Sequence, residues 1–150
     1  MPSLFPTIGV PATPSARLNR KVKFGRSWIF DFDEGEFRLT AARRIEEADE
    51  TQAYYEWCQK ALLTMRYRYV IYSPDYGSEL HKLFRMALSR AAIESEIARM
   101  VTETLMVDPR TGQVGGFSFM WLDDGVAFDC YVLTAKGSQL ELSGRMDMAM

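Results

Sequence analysis

The period of the apolar residues changes once, sharply, at Asp108-Pro109-Arg110. Before it, Ile93, Ile97, Met100, Val101 and Leu105 recur at helical spacing. After it, Phe117, Phe119 and Trp121 alternate with Ser118, Met120 and Leu122. Val126, Phe128, Cys130 and Val132 then alternate with Ala127, Asp129, Tyr131 and Leu133. Turns at Asp124–Gly125 and Lys136–Gly137 connect these runs to Leu140 and Leu142, which predicts a three-strand meander. Pro109 forbids further helix and biases Asp108 towards extended angles, so the break is firm. An amphipathic helix and a half-apolar sheet must cover each other, which makes the class α+β.

The upstream half fits that class. "SWIFDFDEGEFRLT" alternates about an acidic turn at Glu34–Gly35 and reads as a hairpin. Asp49, with Gln52 three residues on, reads as the cap of a helix whose stripe is Tyr54, Trp57, Cys58, Ala61 and Leu62. "SPDYGSELHKLF" reads as a turn and a short helix holding Leu80, Leu83 and Phe84, after which Ser89 caps the longer helix. The expected fold is an N-terminal hairpin, two to three helices packed on a small, mainly antiparallel sheet, and the closing meander. It forms a single domain over 27–150. Residues 1–26 read instead as an extended, basic, proline-rich arm. Four of the six prolines fall in the first 20 residues and no period appears there. The first 28 residues hold five basic side chains and no acid, leaving 13 basic against 20 acidic in the rest. A basic arm on an acidic body is an interaction tail, with Arg20, Lys21 and Lys23 as its candidate contacts. We expect it to dock on protein, because only Phe24 interrupts the charges and no stacking platform accompanies them.

Catalytic and metal signals are poor. The single histidine, His81, is expected on the solvent side of the short helix beside Lys82. No Cys/His pair stands at metal spacing, and there is no phosphate-binding glycine loop or nucleophile elbow. Asp31, Asp33, Glu34 and Glu36 resemble a glycosidase pair only in composition, since acids in hairpin turns are commonly solvated. Cys58 and Cys130 sit inside patterned segments and read as free, buried thiols. No apolar run reaches membrane length, and the N-terminus lacks a signal-peptide layout, so synthesis in the cytoplasm is expected. No cofactor, metal, nucleic acid or membrane partner is expected.

At the break, the residues alone favour a helix stop closed by a local Asp108–Arg110 couple, even though a carboxylate sits poorly at the negative end of a helix dipole. A longer series points further. "ALLTMRYRYVIYSPDYGSEL" carries Leu-x-Thr-x-Arg and then Pro-x-aromatic-Gly-Ser, and an Ile-x-x-x-Ile helix and "DPR" follow. Over roughly residues 27–143 this ordered series resembles the sheath-initiator (baseplate wedge) family of contractile phage tails. That family is also described as tail lysozyme-like in T-even phages. The layout is most similar to the XkdS-like branch of prophages and phage-tail-like bacteriocins.

The resemblance implies a structural baseplate protein without enzymatic activity. Such a protein joins the wedge to the first sheath ring, starts the sheath by strand addition and stands as six copies around the tube. Its partners would be wedge and sheath proteins, with tube or hub proteins as neighbours. Asp108, Pro109 and Arg110 match the family's Glu-Pro-Arg loop, which contacts the wedge's helical bundle; here aspartate stands for glutamate. Read as a preset binding loop, Arg110 would be nearly neutral for the isolated fold. Arg66 matches the family arginine, with a carboxylate near the loop as its partner. Pro74, Tyr76 and Gly77 match a turn element read as structural. The sheath would add at the strand holding Leu140 and Leu142, or at the edge beside the Trp28–Asp33 hairpin. The rival readings are a tail-associated muramidase and a small basic-armed nucleic-acid module.

Overall fold

The computed structural model describes residues 21–148. β1 (Ser27–Trp28) pairs antiparallel with β4 (Glu47–Ala48), and inside that pair β2 (Phe30–Asp31) meets β3 (Glu36–Phe37). The acidic turn is closed by its own first residue: one Asp31 carboxylate oxygen accepts from the amides of Asp33 and Glu34. β1–β4 and β2–β3 are separate two-stranded sheets, and neither joins the meander. The edge beside the Trp28–Asp33 hairpin is therefore not an edge of the main sheet.

Both helix starts fall where the caps stand. α1 (Glu50–Leu63) begins with the Asp49 carboxylate accepting from the Gln52 amide at 2.7 Å. α2 (Arg90–Met106) begins with the Ser89 hydroxyl accepting from the Ala92 amide. Between them Leu80–Arg85 forms a 3-10 helix that buries Leu80 and Leu83. No helix among the described residues is long and apolar enough to cross a membrane.

β5 (Thr111–Leu122), β6 (Gly125–Thr134) and β7 (Gln139–Asp147) form the antiparallel meander, with β6 in the middle. The chain is thus α+β, as the change of period requires. The inward faces of β6 and β7 (Val126, Phe128, Val132, Leu142) pack with Tyr54 of α1, Leu83, and Ile97, Val101 and Leu105 of α2 into one core. α2 is also tied to β5 through polar groups. Trp121 Nε1 donates to Glu94 at 2.7 Å, and the Arg90 guanidinium lies over the Trp121 ring.

The outer strands differ in regularity. β5 starts at Thr111, six residues before its clear alternation, and breaks register twice against β6. The second break contains Gly116 at φ +62, with the Tyr131 ring lying where a Cβ would be, 2.4 Å away. β7 runs nine consecutive pairs with β6 without a shift.

The domain reaches further back than residue 27. Phe24 is buried in the core and packs edge-on against Tyr54 at 5.8 Å. Arg20 and the earlier residues of the arm lie outside the described residues, while Lys21 and Lys23 are exposed.

Candidate assembly interface

The Asp108–Arg110 loop is closed on itself. Arg110 Nε and Nη2 donate to the two carboxylate oxygens of Asp108 at 2.9 and 2.8 Å, and the Arg110 amide donates to the same carboxylate at 2.8 Å. Arg110 Nη1 donates to the carbonyl of Phe24 at 3.1 Å. The guanidinium lies 5.2 and 5.4 Å from the ring centres of Tyr54 and Trp57, within cation–π range. Both charged side chains are largely covered, at 14% and 12% exposure. The acid against the helix dipole is therefore compensated two residues later, as the residues alone favoured. What the loop shows to solvent is Pro109, with Val107 at its shoulder.

Below the loop, the Tyr54 hydroxyl and Thr111 Oγ1 share a 2.6 Å hydrogen bond. Burial, first of all, pushes the Tyr54 phenol well above its ordinary range. Burial likewise pushes the Cys58 thiol up to about 12 and the Cys130 thiol up to about 11. These free cysteines are protonated core residues and poor nucleophiles.

Arg66 and the Pro74–Gly77 turn form a second unit. Arg66 Nε donates to the Gly77 carbonyl at 3.1 Å, and Nη1 to Glu103 Oε1 of α2 at 2.9 Å. Burial works against the Arg66 charge, but the Glu103 hydrogen bond and charge, with Tyr67 adding to them, outweigh it and hold its pKa above the ordinary value. Its carboxylate partner thus lies in the last turns of α2, five residues ahead of Asp108. Gly77 sits at φ +99, where a Cβ would stand 2.8 Å from the Thr64 carbonyl oxygen. Tyr76 is half-buried, between Tyr72 and Trp57, and Pro74 is exposed.

The third candidate is the edge of β7. Leu142 is buried and Leu140 half-buried, both facing the core, so their side chains are not the free element. The free element is the backbone. At one end of the ladder the Thr134 amide donates to the Ser138 carbonyl, and at the other the Met148 amide donates to Asp124. Both contacts continue the β6–β7 register, in which every second pair exchanges hydrogen bonds. Leu140, Leu142, Gly144 and Met146 therefore bond inward, and Glu141, Ser143 and Arg145 aim their N–H and C=O groups outward. No strand among the described residues meets them. Alongside the second half of β7 runs a groove of about 670 Å³, walled by Leu142 and Met146 on the sheet side and by Leu62, Phe84 and Phe32 opposite.

Two residues that matter were not visible as such in the sequence. Phe24 is masked by the charges around it. Glu56 is buried on α1, where it accepts from the Phe30 amide at 3.3 Å and from Gln52, tying the hairpin to the helix. Nothing in its spacing distinguishes it from a solvated helix glutamate.

No curated protein matches this chain. Residues 26–137, most of the chain's length, match the contractile injection system sheath initiator, and that span takes in the Arg66–Gly77 unit, the Asp108–Arg110 loop and the meander as far as the turn into β7. The chain belongs to the contractile injection system sheath initiator family.

Proposed function

We propose that this protein joins the baseplate wedge to the first sheath ring of a contractile tail and starts the sheath by strand addition on β7. The observation that carries this reading is the β7 edge, which is regular, unpaired and bordered by an apolar groove. An extended sheath segment placed there would complete outward backbone hydrogen bonds and put alternate side chains towards Leu142 and Met146. β5 is a poorer template, because its register breaks bend the strand.

In the same reading the Asp108–Arg110 loop faces the wedge. The internal ion pair fixes the loop's shape, and Pro109 and Val107 make the contact with little ordering cost. Lys21, Lys23 and Arg20 extend that contact from the arm. Six copies around the tube, with tube or hub proteins as neighbours, complete the arrangement.

Site-specific photocrosslinking tests the edge. A photoreactive residue at Glu141 should capture sheath protein as polymerisation begins. The same group at Met120, exposed on β5, should not. Capture from Met120 alone, or from neither position while sheath still forms, would remove β7 from the mechanism.

A further inference from the structure

A second surface stands beside the 3-10 helix. Arg66, Arg68, His81, Lys82 and Arg85, together with Met65 and Tyr67, line a depression of about 350 Å³. Arg66 is committed to Glu103, and Lys82 to Glu79. Arg68 and Arg85 have no carboxylate within ion-pair range among the described residues; the Arg68 guanidinium donates to the Met65 sulfur. The His81 pKa lies below its ordinary value. Burial comes first among the causes, and the charges of Lys82, Arg85 and Arg68 add to it against the opposing Glu79. In a chain of net charge −2, this depression is a local positive field.

The chain leaves the depression through an apolar tip. Val70 is fully exposed and Ile71 is 86% exposed. The tip is held in place: the Arg68 amide donates to Met65 and the Tyr72 amide to Tyr69. Tyr72 packs on Tyr76 at 4.7 Å, and Tyr76 on Trp57. Two aliphatic side chains fixed in water beside unpaired arginines are a costly arrangement for a free surface and a suitable one for a partner.

We propose that the depression and the 67–72 tip together dock an acidic protein segment that carries aliphatic side chains among its carboxylates. Arg68 and Arg85 would take carboxylates in forked hydrogen bonds, while Val70 and Ile71 take the apolar positions. A nucleic acid fits less well. Tyr67, Tyr69 and Tyr72 expose rings, but the most exposed side chains of the tip, Val70 and Ile71, are aliphatic, and Glu79 and Glu103 interrupt any phosphate track through the cations. His81 and Arg85 also border the groove along β7, so the occupant would lie beside an added strand without using the β7 backbone. The proposal does not rest on strand addition and is tested on the isolated protein.

The probe is a fluorescein-labelled 15-residue peptide of alternating acidic and leucine positions, read by fluorescence anisotropy. Its controls are the same peptide with glutamine for every glutamate and a 15-nucleotide oligothymidylate. The full chain is compared with Arg68→Gln/Arg85→Gln and Val70→Ser/Ile71→Ser, both at exposed positions and checked for unchanged circular dichroism. The acidic peptide should bind the unaltered chain and weaken about tenfold or more in each double variant and with the glutamine control. Absence of binding, equal binding by either double variant, or tighter binding of the oligonucleotide would overturn the assignment.

Discussion

The Arg110 guanidinium holds both carboxylate oxygens of Asp108, two residues earlier in the chain, and the carbonyl of Phe24, 86 residues earlier. One side chain thus ties the helix-to-strand corner to the start of the domain. As a free prong of a binding loop, Arg110 would have been nearly dispensable to the isolated fold. Covered as it is, Arg110→Ala should cost roughly 1–3 kcal/mol, because Asp108 and the Phe24 carbonyl lose their partner. Urea unfolding should show a lower midpoint at an unchanged slope. Lysine at this position should recover little, since it cannot reproduce the fork. An unchanged midpoint for Arg110→Ala would show that this closure adds nothing.

Gly77→Ala tests the second unit. The residue combines a left-handed φ with a carbonyl and an amide in the space of a Cβ. Strain of this kind costs roughly 1–3 kcal/mol before the clash is added. The Arg66–Gly77 hydrogen bond would be displaced with it. A melting temperature within a degree of the unaltered protein would mean that the turn relaxes freely.

How much of this was legible follows from how local each determinant is. Asp49 and Ser89 cap helices through amides three residues on, so the signal and its partner lie in one short window. The β6 alternation is equally local and located the sheet's inner face. Glu56 and Phe24 are buried by partners far along the chain, at Phe30 and at Tyr54 and Arg110, which no window contains. The couple at Asp108 and Arg110 was readable as a pair. Its burial was not, because that depends on Tyr54 and Trp57 arriving from α1. The separation of the N-terminal hairpin from the meander is a matter of sheet topology, and alternation carries no information about which strands pair.

His81 gives a pH dependence with a defined sign. Its folded pKa lies below the ordinary 6.5, so the unfolded chain takes up a proton that the folded chain resists. Stability should therefore fall as pH drops below about 6.5 and level off once the folded form is also protonated. The lowered pKa values of Glu79 and Glu96 act in a more acidic window, below their ordinary 4.5, and leave this interval clear. His81→Gln should flatten the decline between about pH 7 and 5 in denaturant titrations. An equal decline in the variant would assign the effect to other groups.

Proline substitution along β7 separates a folding edge from a docking edge. Leu140 bonds inward to Val132, so Leu140→Pro removes a ladder donor and leaves a covered carbonyl unpaired. It should lower stability by roughly 1–3 kcal/mol, and its effect on the sheath is then uninformative. Glu141 aims its N–H outward, and proline is tolerated on an edge strand in that orientation. Glu141→Pro should keep the melting temperature close to that of the unaltered protein, and Ser143→Pro should lower it slightly through loss of the exposed Ser143–Asp129 hydrogen bond, while both remove donors that an added strand requires. Sheath polymerisation seeded by either variant should slow or stop, and the two together should act more strongly. An Arg145→Pro change would be less clean, because Arg145 also pairs with Asp124 and Asp147 at the adjoining turn. If Glu141→Pro and Ser143→Pro both fold normally and seed sheath at the ordinary rate, backbone pairing on β7 is not how the sheath begins.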